Sequence, residues 1–138
     1  MITRMSHATI FVLDQESAYD FYVNKLGFKV HTDAEMGPGM RWLTVSPPDQ
    51  PDLEIILMST VPSPMMDEDT CNAIRKMIQD GKLGAGVFET PNIRETYQDL
   101  VTKGVTFVKE PTEEFYGTEA LMKDDSGNWF SVCERKEH

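Results

Sequence analysis

Two stretches of this chain carry the same signals in the same order. One, "HATIFVLDQESAYDFYVNKLGFKV", begins at His7, and the other, "AGVFETPNIRETYQDLVTKGVTFV", at Ala85. Each opens on a β-branched and aromatic run that reads as a strand, then passes a helix-capping residue. Asp14 is the cap in the first copy; Asn92, with Glu95 in capping-box spacing, is the cap in the second. Each continues at helical period, through Ala18, Phe21, Tyr22 and Leu26 or through Ile93, Thr96, Tyr97, Leu100 and Val101, and stops at Gly27 or Gly104. Adding 78 takes Asp14 to Asn92, Tyr19 to Tyr97 and Lys25 to Lys103; a one-residue deletion then makes the offset 77 and takes Gly27 to Gly104. Carried on without a further gap, the same 77 lays "RWLTVSPPDQPDLEIILM" over "TEALMKDDSGNWFSVCER". With "FKVHTD", "RWLTVS" and "LEIILMS" as three further strands, the first copy is a βαβββ unit, and the repeat makes the second copy another. The expected class is α+β: module one at about 5–60, a connector helix at about 61–83, and module two at about 84–134, all in one domain. The connector is capped by Asp67 or Asp69, carries Cys71, Ile74 and Ile78 on one face and ends at Gly81.

The 138 residues carry 13 Lys plus Arg against 23 Asp plus Glu, a net charge of -10, and the single basic cluster is the half-acidic "ERKEH" at the end. Nucleic acid and anionic membranes both need a cationic face, so neither is an expected partner. No run reaches the roughly 18 apolar residues of a membrane span, and "MITRMSHATI" lacks a signal-like core. Cys71 and Cys133 are too few and too far apart for a disulfide framework or a zinc motif. The expectation is a cytoplasmic chain with free thiols.

The tandem βαβββ units, with "AYDFYVNKLGF" in the first helix and "YGTEALMKDDSGNWFSV" closing the second copy, resemble the vicinal oxygen chelate superfamily of glyoxalases, bleomycin-resistance proteins, fosfomycin-modifying enzymes and extradiol dioxygenases. The resemblance covers roughly residues 5 to 134. It implies a mixed sheet curled into a cup and completed in a homodimer, with a divalent metal (Zn, Ni, Mn or Fe) in those members that use one. In glyoxalase-type members the ligands are His or Glu on the first and last strand of each module. His7 and Glu54 match in module one; the ungapped alignment puts Ala85 and Ser131 at the equivalent places in module two. The implied metal site is therefore partial, His7 and Glu54, with His31 and Glu119 as candidate additions.

Strand alternation supports the placement. If Ala8, Ile10, Val12, Leu53, Ile55 and Leu57 face the helices, then His7, Thr9, Phe11, Glu54, Ile56 and Met58 line the other face. Trp42, Thr44, Glu119, Trp129 and Ser131 join them as expected ligand-binding residues, the tryptophans as stacking surfaces. Arg41 falls on the opposite phase, as a surface or dimer residue, and "MGPGM" at 36–40 forms a rim that lacks the Lys and Ser/Thr of a phosphate loop. Three functions fit: a glyoxalase-like lyase, isomerase or dioxygenase-type enzyme with a metal on His7 and Glu54; metal-free acid/base catalysis by the same pair; or a metal-free ligand-binding, drug-sequestering protein. The partner in all three is a small molecule.

Overall fold

A computed structural model describes residues 1–135. The order is β1 (His7–Val12), α1 (Gln15–Tyr19) running into a π-helical turn (Asp20–Lys25), β2 (Lys29–Glu35), β3 (Arg41–Ser46), β4 (Glu54–Ser59), α2 (Glu68–Gln79), β5 (Gly84–Glu89), α3 (Ile93–Thr102), β6 (Thr106–Glu114), β7 (Gly117–Lys123) and β8 (Trp129–Arg135). The strands form two four-stranded mixed sheets, β1-β4-β3-β2 and β5-β8-β7-β6, in which only the β1–β4 and β5–β8 pairs are parallel. The chain divides into two compact units, Met1–Lys76 and the residues from Met77 on, with the boundary inside α2. The class is α+β, as expected.

In the first unit Asp14 caps α1 by accepting from the Glu16 N–H, and Gly27 takes φ +77° where the helix stops. The helix is not α throughout. Its second half takes the wider π turn, with the Leu26 N–H bonded to the Phe21 carbonyl at 3.0 Å, and the neighbouring Phe21 and Tyr22 are both buried. Tyr22 lies between Phe21 and Phe28 at ring distances of 5.1 and 5.9 Å, and Ile10, Val12, Leu43, Val45, Ile55 and Leu57 complete the core. Full burial of a Leu such as Leu43 or Leu57 is worth about 1.5–3 kcal/mol. In the second unit Asn92 accepts from the Glu95 N–H at 3.1 Å, and Ile93, Leu100, Val105, Ala120, Met122, Phe130 and Val132 are buried. Asp67 is the residue that caps α2, accepting from the Thr70 N–H at 2.8 Å.

The registers test the repeat residue by residue. Between β2 and β3 the pairing shifts after Val30, leaving His31 as an extra residue before Thr32 pairs with Thr44. Between β6 and β7 it shifts after Phe107, leaving Val108 extra before Lys109 pairs with Leu121. The two bulges stand 77 apart, so that offset holds as far as Lys109; a second shift, between Lys109 and Thr112, has no counterpart in module one. The offset fails at the last strand. Thr44 pairs with Ile56 in module one, while Leu121, its counterpart, pairs with Ser131 in module two. Ser131 is thus the equivalent of Ile56, and the equivalent of Glu54 is Trp129, an offset of 75. The cause is loop length: the β3–β4 connection spans residues 47–53 and the β7–β8 connection only 124–128. The expected equivalence of Glu54 with Ser131 is corrected accordingly. Across the strand pair the residue opposite Trp129 is Gly84, while Ala85, the expected counterpart of His7, is the unpaired residue of a register shift between Gly84 and Gly86.

Candidate functional site

β1 and β4 run side by side with His7 directly opposite Glu54, so both side chains leave the same face of the sheet. His7 Nε2 lies 2.9 Å from Glu54 Oε2. His31 joins them from β2. Alternation from Val30, which pairs with Val45, puts His31 on the Glu54 side; the extra residue lets Thr32 share that side, and His31 Nδ1 comes within 3.0 Å of Glu54 Oε1 and 3.2 Å of Thr32 Oγ1. Thr44 Oγ1, buried beneath, donates to the same Oε1 at 3.0 Å. Ser6 Oγ meets His7 Nδ1 at 2.8 Å. The result is one carboxylate, 18% exposed, held between two imidazoles that are 40% and 47% exposed. Ser46, two residues along β3 from Thr44 and so on the same face, is buried, and its hydroxyl has no hydrogen-bond partner among the described residues.

The remaining candidates of the first unit lie farther along this face. Phe11 pairs with Met58 and Trp42 with Ala34 in the ladders, all but Ala34 half-buried. Arg41 is not a free surface cation. Its guanidinium forks onto Asp33 at 2.8 and 2.9 Å, pairs with Glu16 and lies 5.8 Å above the Tyr19 ring. Asp33 is held below the usual carboxylate range by this partner, and Arg41 is pushed further up, chiefly by Asp33. A surface depression of about 460 Å³ at the tip of the β2–β3 hairpin, lined by Asp33, Ala34, Glu35, Gly39, Met40 and Arg41, stands apart from the histidines.

In the second unit Glu119 and Ser131 are brought together as expected, with two partners the sequence reading did not name. Glu119 accepts from Ser131 Oγ at 2.6 Å, from Tyr116 OH at 2.7 Å and from Lys109 Nζ at 3.1 Å, and Lys109 also reaches Glu114 at 2.8 Å. These donors, Ser131 first, hold Glu119 below its ordinary pKa. The hydrogen bond to Glu119 pushes Tyr116 up to about 12, and Glu114 and Glu119 raise Lys109. Burial raises the Cys133 thiol. Trp129 packs its ring over Gly84, where an added Cβ would come within 2.5 Å of the indole.

These two sheets match the Glyoxalase/Bleomycin resistance protein/Dioxygenase superfamily over residues 4–132. The chain belongs to that superfamily. Among relatives, the uncharacterized protein YurT of Bacillus subtilis (strain 168) is 36% identical over 128 residues, covering 92% of this chain and 95% of YurT. The crystal structure of UcmS2 is similar with a TM-score of 0.90 at 50% identity, covering 96% of this chain and 98% of that one. TnmS3, described as an antibiotic binding protein from Streptomyces sp. CB03234, is similar with a TM-score of 0.76 at 26% identity, with 98% of each chain covered.

The superfamily resemblance implies a divalent metal, and the donors present do not fit one held by protein. Both oxygens of Glu54 are already engaged, Oε2 by His7 and Oε1 by His31 and Thr44. In the second module Trp129 stands in the place of Glu54, with Gly84 opposite it and Ala85 beside it, and none of the three is a ligand type. Glu119 has the Lys109 ammonium against it. Among the described residues no group of three or more His, Cys, Asp or Glu is disposed to hold an ion.

Proposed function

We propose that this chain is a metal-independent small-molecule-binding protein of the antibiotic-capturing kind, acting as a cytoplasmic homodimer. The observation that carries the reading is the His7–Glu54–His31 cluster: its carboxylate is saturated with hydrogen bonds, which makes the polar end of the face a preformed recognition surface. Ala85 and Trp129 in the second module, and the antibiotic-binding description of TnmS3, support it. Val87 and Val108, 65% and 54% exposed, suit burial against a second copy, and two free thiols suit a reducing compartment. No helix among the described residues is long and apolar enough to cross a membrane.

The test is titration of an antibiotic panel into protein stripped with EDTA, followed by tryptophan fluorescence. The expected result is saturable binding without turnover, unchanged by chelation and lost in Trp42→Ala. Binding or turnover that appears only when a divalent metal is restored would overturn it. One observation favours a second reading: the 2.9 Å contact of His7 with Glu54 is within reach for acid/base chemistry on a small carbonyl compound. Turnover that survives chelation and vanishes in His7→Ala would select that reading.

A further inference from the structure

The hydrogen bonds of the histidine cluster fix which of its nitrogens is left for a ligand. A carboxylate only accepts, so both imidazole nitrogens that meet Glu54 carry the N–H: Nε2 of His7 and Nδ1 of His31. In neutral His7 the bare nitrogen is then Nδ1, and the Ser6 hydroxyl already occupies it at 2.8 Å. In neutral His31 the bare nitrogen is Nε2. That atom has no hydrogen-bond partner among the described residues, and the ring that carries it is 47% exposed. One face thus shows a single imidazole acceptor, backed by a carboxylate that fixes its tautomer and orientation.

Along the same face the chemistry changes. His7, His31 and Glu54 lie at one end; Phe11, Met58 and Trp42 lie at the other, His7 to Phe11 spanning about 13 Å at roughly 3.3 Å per strand residue. An acceptor at one end of an aromatic and thioether surface suits a ligand that is apolar along its length and carries a hydrogen-bond donor at its tip. The buried, unpartnered Ser46 hydroxyl on this face is a further sign that the polar end has hydrogen bonding still to be completed.

Resting on the capture reading above, we propose that His31 Nε2 is the atom through which this face recognises its ligand, and that the ligand is an apolar molecule bearing a phenolic or enolic hydroxyl, which donates to that nitrogen. Glu54 acts as a positioning residue for the imidazole, which β2 delivers. Neither step needs an ion.

Two measurements test this. In ¹⁵N-labelled protein the imidazole nitrogen shifts report the tautomer directly; His31 is expected as the Nδ1–H form, and an Nε2–H ring would overturn the proposal whatever binds. The second compares 1-naphthol with 1-methoxynaphthalene, which share an apolar body and differ in the donated hydrogen. Wild-type protein is expected to hold the naphthol roughly three- to ten-fold more tightly, the effect of one hydrogen bond. His31→Phe is expected to erase the difference while keeping the affinity for the ether. Equal affinities in the wild type, no binding of naphthol, or discrimination that persists in His31→Phe would each overturn it. Antibiotics that bind without regard to a hydroxyl would sink this inference alone; an antibiotic panel in which nothing binds would sink the capture reading.

Discussion

Glu119 shows how much the side chains around one carboxylate decide. Its folded pKa lies below the ordinary value because Ser131, Tyr116 and Lys109 all donate to its ionised form. A depressed acid contributes stability above its unfolded pKa and loses it as pH falls through the folded one. Ser131→Ala removes the 2.6 Å bond, and the expected outcome is a stability loss of about 1 kcal/mol at neutral pH with acid unfolding moved to higher pH, read by circular dichroism. Tyr116 works in the opposite sense. Its raised pKa gives stability that is complete below pH 10 and lost between pH 10 and about 12. In an absorbance titration Tyr116→Phe should remove a phenol step that ionises near pH 12.

At the scale of the element, the β2 bulge makes an unusual deletion tolerable. His31 is the one residue of its strand without a register partner between Val30 and Thr32, so removing it leaves Val30 on Val45 and Thr32 on Thr44. Deleting His31 is expected to cost less than about 2 kcal/mol in urea unfolding, while abolishing any preference for a hydroxyl-bearing ligand. Gly84 is the contrary case. Gly84→Ala drives a Cβ into the Trp129 indole and is expected to cost about 1–3 kcal/mol and to shift the tryptophan emission. The same elements mark what could be read from sequence. Asp14, Asn92, Gly27 and Gly104 act locally and were legible as caps and stops. Alternation put His7, Glu54 and Thr44 on one face, since a two-residue period needs no long-range information. The same alternation put His31 on that face; what it did not show is the bulge, which lets the adjacent Thr32 share the face with it. The exchange of Glu54 for Trp129 was hidden because an ungapped alignment crossed loops of unequal length. Tyr116 and Lys109 were missed because they meet Glu119 through a turn and a second register shift.

Across the whole molecule, two compact units share one helix, the boundary falling inside α2. Each holds one of the two tryptophans, Trp42 or Trp129, so Trp129→Phe and Trp42→Phe report the two units separately. Units this small bury limited surface alone, and the two denaturation midpoints are expected to coincide. Light scattering should give a mass near twice 15.7 kDa for the homodimer proposed above. The unequal hairpin loops have a last consequence. They differ by an even count of residues, so Ser131 comes to stand where Ile56 stands in the first module without any inward-pointing position turning outward. A duplicated gene can therefore rewrite what its sheet offers to a guest in steps of two, while the hidden side keeps its spelling; a step of one would turn the whole strand inside out.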